Sequence, residues 1–173
     1  GCDLLLEAFA KAVKRADLQL VMAGPCQDDY IETLKELAIK LNISDRVHWV
    51  GMLKGELKAA AFKKDEAFVL TSHQENFGIA VAEALAYGKA VLISNQINIW
   101  REIEKGGAGI IDSDTIEGAT SVIAKWEDMS IEHRGQMSLS ARKVYVENFT
   151  VKAAAEDLTD ALKKAIKSGV GTI

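Results

Sequence analysis

The sequence predicts an α/β fold, a doubly wound parallel sheet with helices on both faces and a helical C-terminal tail. Short runs rich in Val, Ile and Leu alternate with longer amphipathic runs, the pattern of successive β-α units. Those short runs are apolar almost throughout instead of alternating with polar residues, as strands covered on both faces must be. From about 115 to 167 no strand-like run occurs; three helical patterns follow one another, broken near 128–130 and 148–150.

The elements follow in order. Residues 3–15 predict a helix that Asp3 caps, with Leu5, Leu6, Phe9, Ala10 and Val13 recurring along one face. A strand follows at 18–23. The next helix starts at Asp28 or Asp29, turns Ile31, Leu34, Leu37, Ala38 and Leu41 inward and exits at Asn42. Strands at 46–50, 67–71, 90–94 and 109–112 then alternate with helices at 55–64, 78–87 and 97–105. Trp49 and Phe68 lie in strands and read as core, and Trp126 fits the inner face of the helix at 115–127.

With 173 residues, 49% hydrophobic and 27% charged, the chain has the length and composition of one globular domain. Its only proline is Pro25 and it has no repeat or low-complexity stretch, so no linker divides 1–173. Lys and Arg total 21 against 25 Asp and Glu, a net charge of −4, so no nucleic-acid partner is expected. The apolar runs are far shorter than the ~18 residues a membrane span needs, and no basic leader precedes an apolar block. Cys2 and Cys26 have no metal spacing and are too few for a disulfide scaffold, which reads as thiols in a reducing cytoplasm. His48, His73 and His133 are widely spaced and lack carboxylates at ligand intervals, so no metal site is expected.

Chemistry concentrates between Thr71 and Gly88, where the chain leaves a buried strand, crosses a loop and enters a helix. Ligands of open α/β sheets bind at that carboxyl edge, and the free amides and dipole of a helix start favour phosphate. Gly78 allows close backbone approach there. Between Phe77 and Gly88 the only charge is Glu83, on a helix read as nearly all buried. An unpaired buried carboxylate costs several kcal/mol, so Glu83 needs donors, and vicinal ribose hydroxyls supply two. A neighbouring amide or arginine would satisfy it as well. Glu75, taken alone, reads as a solvated loop acid or a helix-start charge, and His73 lies close enough in sequence to approach the site.

Glu75 and Glu83 nonetheless form a pair eight residues apart around Phe77-Gly78, preceded by Val69-Leu70-Thr71-Ser72 and followed by Ala84-Leu85-Ala86-Tyr87-Gly88-Lys89-Ala90-Val91-Leu92. This resembles the E-x₇-E donor-site signature of retaining nucleotide-sugar glycosyltransferases of the GT-B architecture, the glycosyl transferases group 1 family. Residues 4–9, 20–25, 47–53 and 148–151 resemble that family in order and spacing. The resemblance implies a Rossmann-like domain, one half of a GT-B fold. It implies that Glu83 holds the ribose hydroxyls and that Glu75 contacts the transferred sugar near the reacting centre. The amides of Asn76, Phe77, Gly78 and Ile79 would bind sugar hydroxyls and the diphosphate. The turn at Gly51, Met52 and Leu53 would read the base edge, and Gly24 and Pro25 would line the cleft floor.

The implied reaction is transfer of a hexose from a nucleoside diphosphate sugar to a glycan or lipid-linked acceptor in polysaccharide or glycolipid biosynthesis. It retains anomeric configuration and needs no metal or other cofactor. A UDP-sugar such as UDP-glucose is the favoured donor, with a guanosine nucleotide carrying mannose left open. The implied location is the cytoplasm, with peripheral attachment to the cytoplasmic face of a membrane common among relatives. The alternative is a non-catalytic nucleotide-binding or protein-interaction module of the same fold, against which the retained Glu75 and Glu83 argue. No segment supports the cofactor lysine of the related phosphorylases.

Two departures from the family pattern stand out. Asn95-Gln96-Ile97-Asn98-Ile99-Trp100-Arg101-Glu102-Ile103 replaces a Gly-Gly turn and a Pro-Glu pair, leaving Glu102 in place but the donor-sugar preference open. The family's domain also begins with a strand and a loop whose Arg and Lys neutralise the diphosphate, and Gly1 falls just after that Lys position. The expectation is therefore a fragment lacking both the first strand and the acceptor domain, the alternative being a sheet that closes in some other way. In the strand order 3-2-1-4-5-6 it would have a central gap, and alone it would bind donor without efficient turnover.

Overall fold

The computed structural model describes residues 1–25 and 27–167; Cys26, read as a thiol, lies outside them. The chain alternates strands and helices: α1 (Cys2–Ala12), β1 (Leu20–Ala23), α2 (Asp28–Lys40), β2 (Val47–Gly51), α3 (Gly55–Lys64), β3 (Phe68–Leu70), α4 (Ile79–Ala86), β4 (Val91–Ser94), α5 (Trp100–Lys105) and β5 (Gly109–Asp112). Three helices close it, α6 (Ile116–Asp128), α7 (Ile131–Asn148) and α8 (Val151–Lys167). Every strand pairing is parallel, so the expected α/β class with helices on both faces is what forms.

The alternation of side chains along each strand sorts the core into two layers. Leu92 and Ile110 pack with α1, α2 and α6 around Leu6, Phe9, Leu34, Val122 and Trp126. Val91 and Ile93 pack on the opposite face with α3, α4, α5 and α7 around Phe62, Leu85, Ile103 and Val144. β4 is consequently buried at every residue, which is why Val91, Leu92 and Ile93 are apolar in succession and why the one polar residue, Ser94, is hydrogen-bonded to the Ser72 carbonyl.

The strands form two pieces, β1-β2 and β3-β4-β5. Among the described residues β1 pairs only with β2, and β3 pairs on one side only, with β4. The expectation that every strand is covered on both faces is corrected here: Val21 in β1 is 46% exposed and Val50 in β2 43%, because neither lies inside a continuous sheet. α1 is shorter than the predicted 3–15. Asp3 makes no capping hydrogen bond and sits in the first turn, where an acid suits the helix dipole. The predicted helix at 97–105 begins only at Trp100, because the preceding residues are spent in turns, with the Trp100 amide donating to the Ile97 carbonyl at 2.9 Å. Asn42 does end α2, at φ +57°. Among the described residues no helix is long and apolar enough to cross a membrane.

At the amino edge of the strands, ionic contacts tie sequence-distant segments together. Arg15 donates from two nitrogens to the Glu66 carboxylate at 2.9 and 3.0 Å, and Arg134 reaches the same carboxylate at 3.1 Å. The hydrogen bond from Arg15 outweighs burial and holds the Glu66 carboxyl below the usual glutamate range. A lowered folded-state pKa stabilises above the ordinary value and loses that contribution as pH falls through the lowered one. Glu66→Gln is therefore expected to cost no more than about 1 kcal/mol at neutral pH, since solvent screens a pair this exposed. In urea melts repeated down the pH scale, the deficit begins to shrink as pH falls below the ordinary glutamate value of about 4.3 and is gone once pH lies below the lowered folded-state value.

Candidate functional site

The carboxyl edge of the strands gathers the predicted site residues. Gly24 follows β1 and Gly51 ends β2, and the two are joined directly, the Gly24 amide donating to the Gly51 carbonyl at 2.9 Å. From Gly51, at φ +65°, the chain turns through Met52 and Leu53 into α3. Met52 is exposed in that turn, available for contact.

The loop after β3 is pinned from beneath by the loop after β4. The Glu75 amide donates to the Gln96 carbonyl at 3.2 Å, and the Asn98 amide donates to the Glu75 carbonyl at 3.3 Å. Ser94 Oγ donates to the Ser72 carbonyl at 2.5 Å. The departing sequence at 95–99 thus acts as a backbone brace for Glu75. Phe77 is held at the far side by an edge-on contact with Phe149, ring centroids 5.9 Å apart.

Gly78 is the hinge of this loop. It is buried, adopts φ +75° and ψ +55°, and a Cβ there would stand 2.8 Å from Ile97 Cγ2. Both the conformation and the space call for glycine. Its carbonyl accepts from the amides of Val81 and Ala82 at 2.9 and 3.0 Å, and no side chain caps the helix. The amides of Ile79 and Ala80 have no acceptor within the helix, and they stand at its positive dipole end. The side chain of Ile79 is 69% exposed.

Glu83 corrects one expectation. The helix is not nearly all buried, for Ile79 and Tyr87 are exposed and the Glu83 side chain is itself 37% exposed. Nor does its carboxylate lack a donor: Lys58 Nζ stands 2.6 Å from Oε1 and 2.5 Å from Oε2. Sequence reasoning missed Lys58, because the pair is 25 residues apart on two helices whose register only packing sets. It also missed Asp114, whose Oδ2 lies 3.1 Å from His73 Nδ1 and links the loops after β3 and β5. That hydrogen bond holds the Asp114 carboxyl below the usual range. Among the described residues no three His, Cys, Asp or Glu side chains are placed to hold a metal ion.

The family described as "Glycosyl transferases group 1" matches residues 1–144, most of the chain and all of this edge. The chain belongs to the glycosyl transferases group 1 family. As a member, it is 26% identical to an uncharacterised glycosyltransferase of Methanocaldococcus jannaschii over 96% of its own length and 42% of that protein's. It is 26% identical to the D-inositol 3-phosphate glycosyltransferase of Geodermatophilus obscurus, over 95% of this chain and 40% of that one. This group 1 chain therefore spans about two fifths of the length of the curated relatives it matches. Among solved structures it superimposes on Anabaena HepE in complex with UDP and glucose with a TM-score of 0.78. Identity there is 17%, over 93% of this chain and 44% of HepE, a likeness of GT-B fold.

Proposed function

We propose that this group 1 chain is the donor-binding domain of a retaining glycosyltransferase. It takes a hexose from a nucleoside diphosphate sugar, a UDP-sugar such as UDP-glucose, and passes it to a glycan or lipid-linked acceptor without a metal. The carrying observation is the convergence at one carboxyl edge of the Gly24–Gly51 turn, the uncapped start of α4 at Gly78 and, one turn further on, Glu83. A nucleotide laid along that edge meets groups suited to each of its parts. The Gly51–Met52–Leu53 backbone faces the base, the carboxylate of Glu83 accepts from ribose hydroxyls, and the amides from Asn76 to Ile79 receive the diphosphate.

The chemistry asked of these groups is modest. Cleavage of the sugar–phosphate bond leaves negative charge on the departing diphosphate, and amides fixed at a helix start stabilise that charge without reorganising. Glu75, its backbone clamped on both sides by Gln96 and Asn98, holds the sugar hydroxyls and so sets the reacting carbon against the acceptor. The UDP preference is supported by the structural neighbour solved with UDP and glucose. The protein works on the cytoplasmic side, peripheral to the membrane where its acceptor is a lipid.

Calorimetric titration with UDP, GDP and ADP tests this. One nucleotide, UDP, is expected to bind in the micromolar to low millimolar range, and Glu83→Ala to lose about 1–3 kcal/mol of that affinity. Absence of binding by all three at millimolar concentration overturns the reading.

A further inference from the structure

We infer that Lys58 is a positioning residue for ribose recognition: it clamps the Glu83 carboxylate from one side and leaves its other lone pairs aimed at a vicinal diol. The inference rests on the donor-site reading of Glu83. Lys58 Nζ contacts both carboxylate oxygens, at 2.6 and 2.5 Å, and so sits astride the carboxylate. An ionised carboxylate offers about four lone-pair directions. A cation engaging one on each oxygen leaves one on each oxygen, the number and spacing that two neighbouring hydroxyls fill.

The clamp has an aromatic contact beside it. Phe62 of α3, 6% exposed, stacks on Tyr87 at 5.3 Å and 15°, and also meets Phe68 of β3 at 5.8 Å. Lys58 and Glu83 lie one helical turn, four residues, before Phe62 and Tyr87. The two contacts are therefore consecutive rungs between helices running side by side in the same direction. The aromatic rung fixes the register, and the ionic rung falls one turn closer to the strand ends, where α3 emerges from the Gly51–Leu53 turn. A glutamate side chain left to itself samples several rotamers, and freezing one on binding costs entropy. Lys58 freezes it beforehand, and its charge offsets the repulsion between Glu83 and an incoming diphosphate.

The test compares UDP with 2′-deoxy-UDP, which lacks one hydroxyl of the diol, on wild-type protein and on Lys58→Met, Lys58→Arg and Glu83→Gln. The wild type is expected to prefer UDP by about tenfold or more. Lys58→Met should weaken UDP by about 5- to 20-fold and bring the preference below about twofold, with Lys58→Arg restoring much of it. The thermal midpoint of Lys58→Met should stay within a few degrees of wild type, separating positioning from folding. A Lys58→Met protein that binds UDP more weakly yet keeps the full preference makes Lys58 a phosphate ligand, and one that changes neither makes the pair a surface contact; both overturn the inference. If Glu83→Gln itself keeps the full preference, or no nucleotide binds the wild type, the donor-site reading falls first and takes this inference with it.

Discussion

Replacing Trp126 by alanine is expected to lower the unfolding free energy by about 3–5 kcal/mol. The indole is 4% exposed and closes the α6 side of the core, where Ala119, Val122 and Ile123 of the same helix pack against α1. Leu20 of β1 shares this cluster with Leu92 of β4 and Ile110 of β5, so α6 helps hold the two strand pieces under one layer. The Arg134 guanidinium also lies 5.1 Å from the indole ring centre while donating to the Trp126 and Glu127 carbonyls. Alanine leaves a cavity under a cation that has lost its aromatic face. Urea melts should show the midpoint falling with the slope unchanged, the mark of a stability change without a change in compactness. A shift equivalent to less than about 1 kcal/mol would mean that the surrounding helices collapse into the space.

Gly78→Ala is expected to do damage of two kinds. Holding a residue with a Cβ at φ +75° costs about 1–2 kcal/mol, and the 2.8 Å approach to Ile97 Cγ2 adds about 1–3 kcal/mol of overpacking. Ile97 is fully buried and its neighbours hold the Glu75 backbone, so the methyl has no flexible side chain to displace. Relief therefore comes from movement of the 75–79 backbone, the group of amides proposed to receive the diphosphate. The expected result is a loss of stability of about 2–5 kcal/mol together with weaker UDP binding, read by melting and calorimetry on the same sample. Unchanged affinity in a destabilised variant would show that these amides do not carry the ligand.

Much of this fold is legible in sequence because it depends on local pattern. The apolar run at 91–93 announces a strand covered on both faces, and the three-to-four-residue spacing of Leu5, Leu6 and Phe9 announces the buried stripe of α1. Glu75, Gly78 and Glu83 are legible for a different reason. They sit within one strand–loop–helix unit, so their spacing along the chain settles how they stand relative to one another. The start of α5 is less legible: 95–99 is held by backbone hydrogen bonds to Glu75, about twenty residues away in sequence, as well as by its local turns.

Local pattern therefore set the order and type of the elements and the contents of the 71–79 loop proposed as the donor site. Tertiary structure alone decided that Lys58 meets Glu83, that His73 meets Asp114, and that 95–99 braces Glu75. It also decided that the strands stand in two pieces, with β1 and β3 each paired on one side among the described residues. The physical reason is that these contacts lie between elements rather than within them. Side-chain periodicity tells which face of a helix is buried, but the register of one helix against another is set by close packing of particular shapes, here the stacked rings of Phe62 and Tyr87.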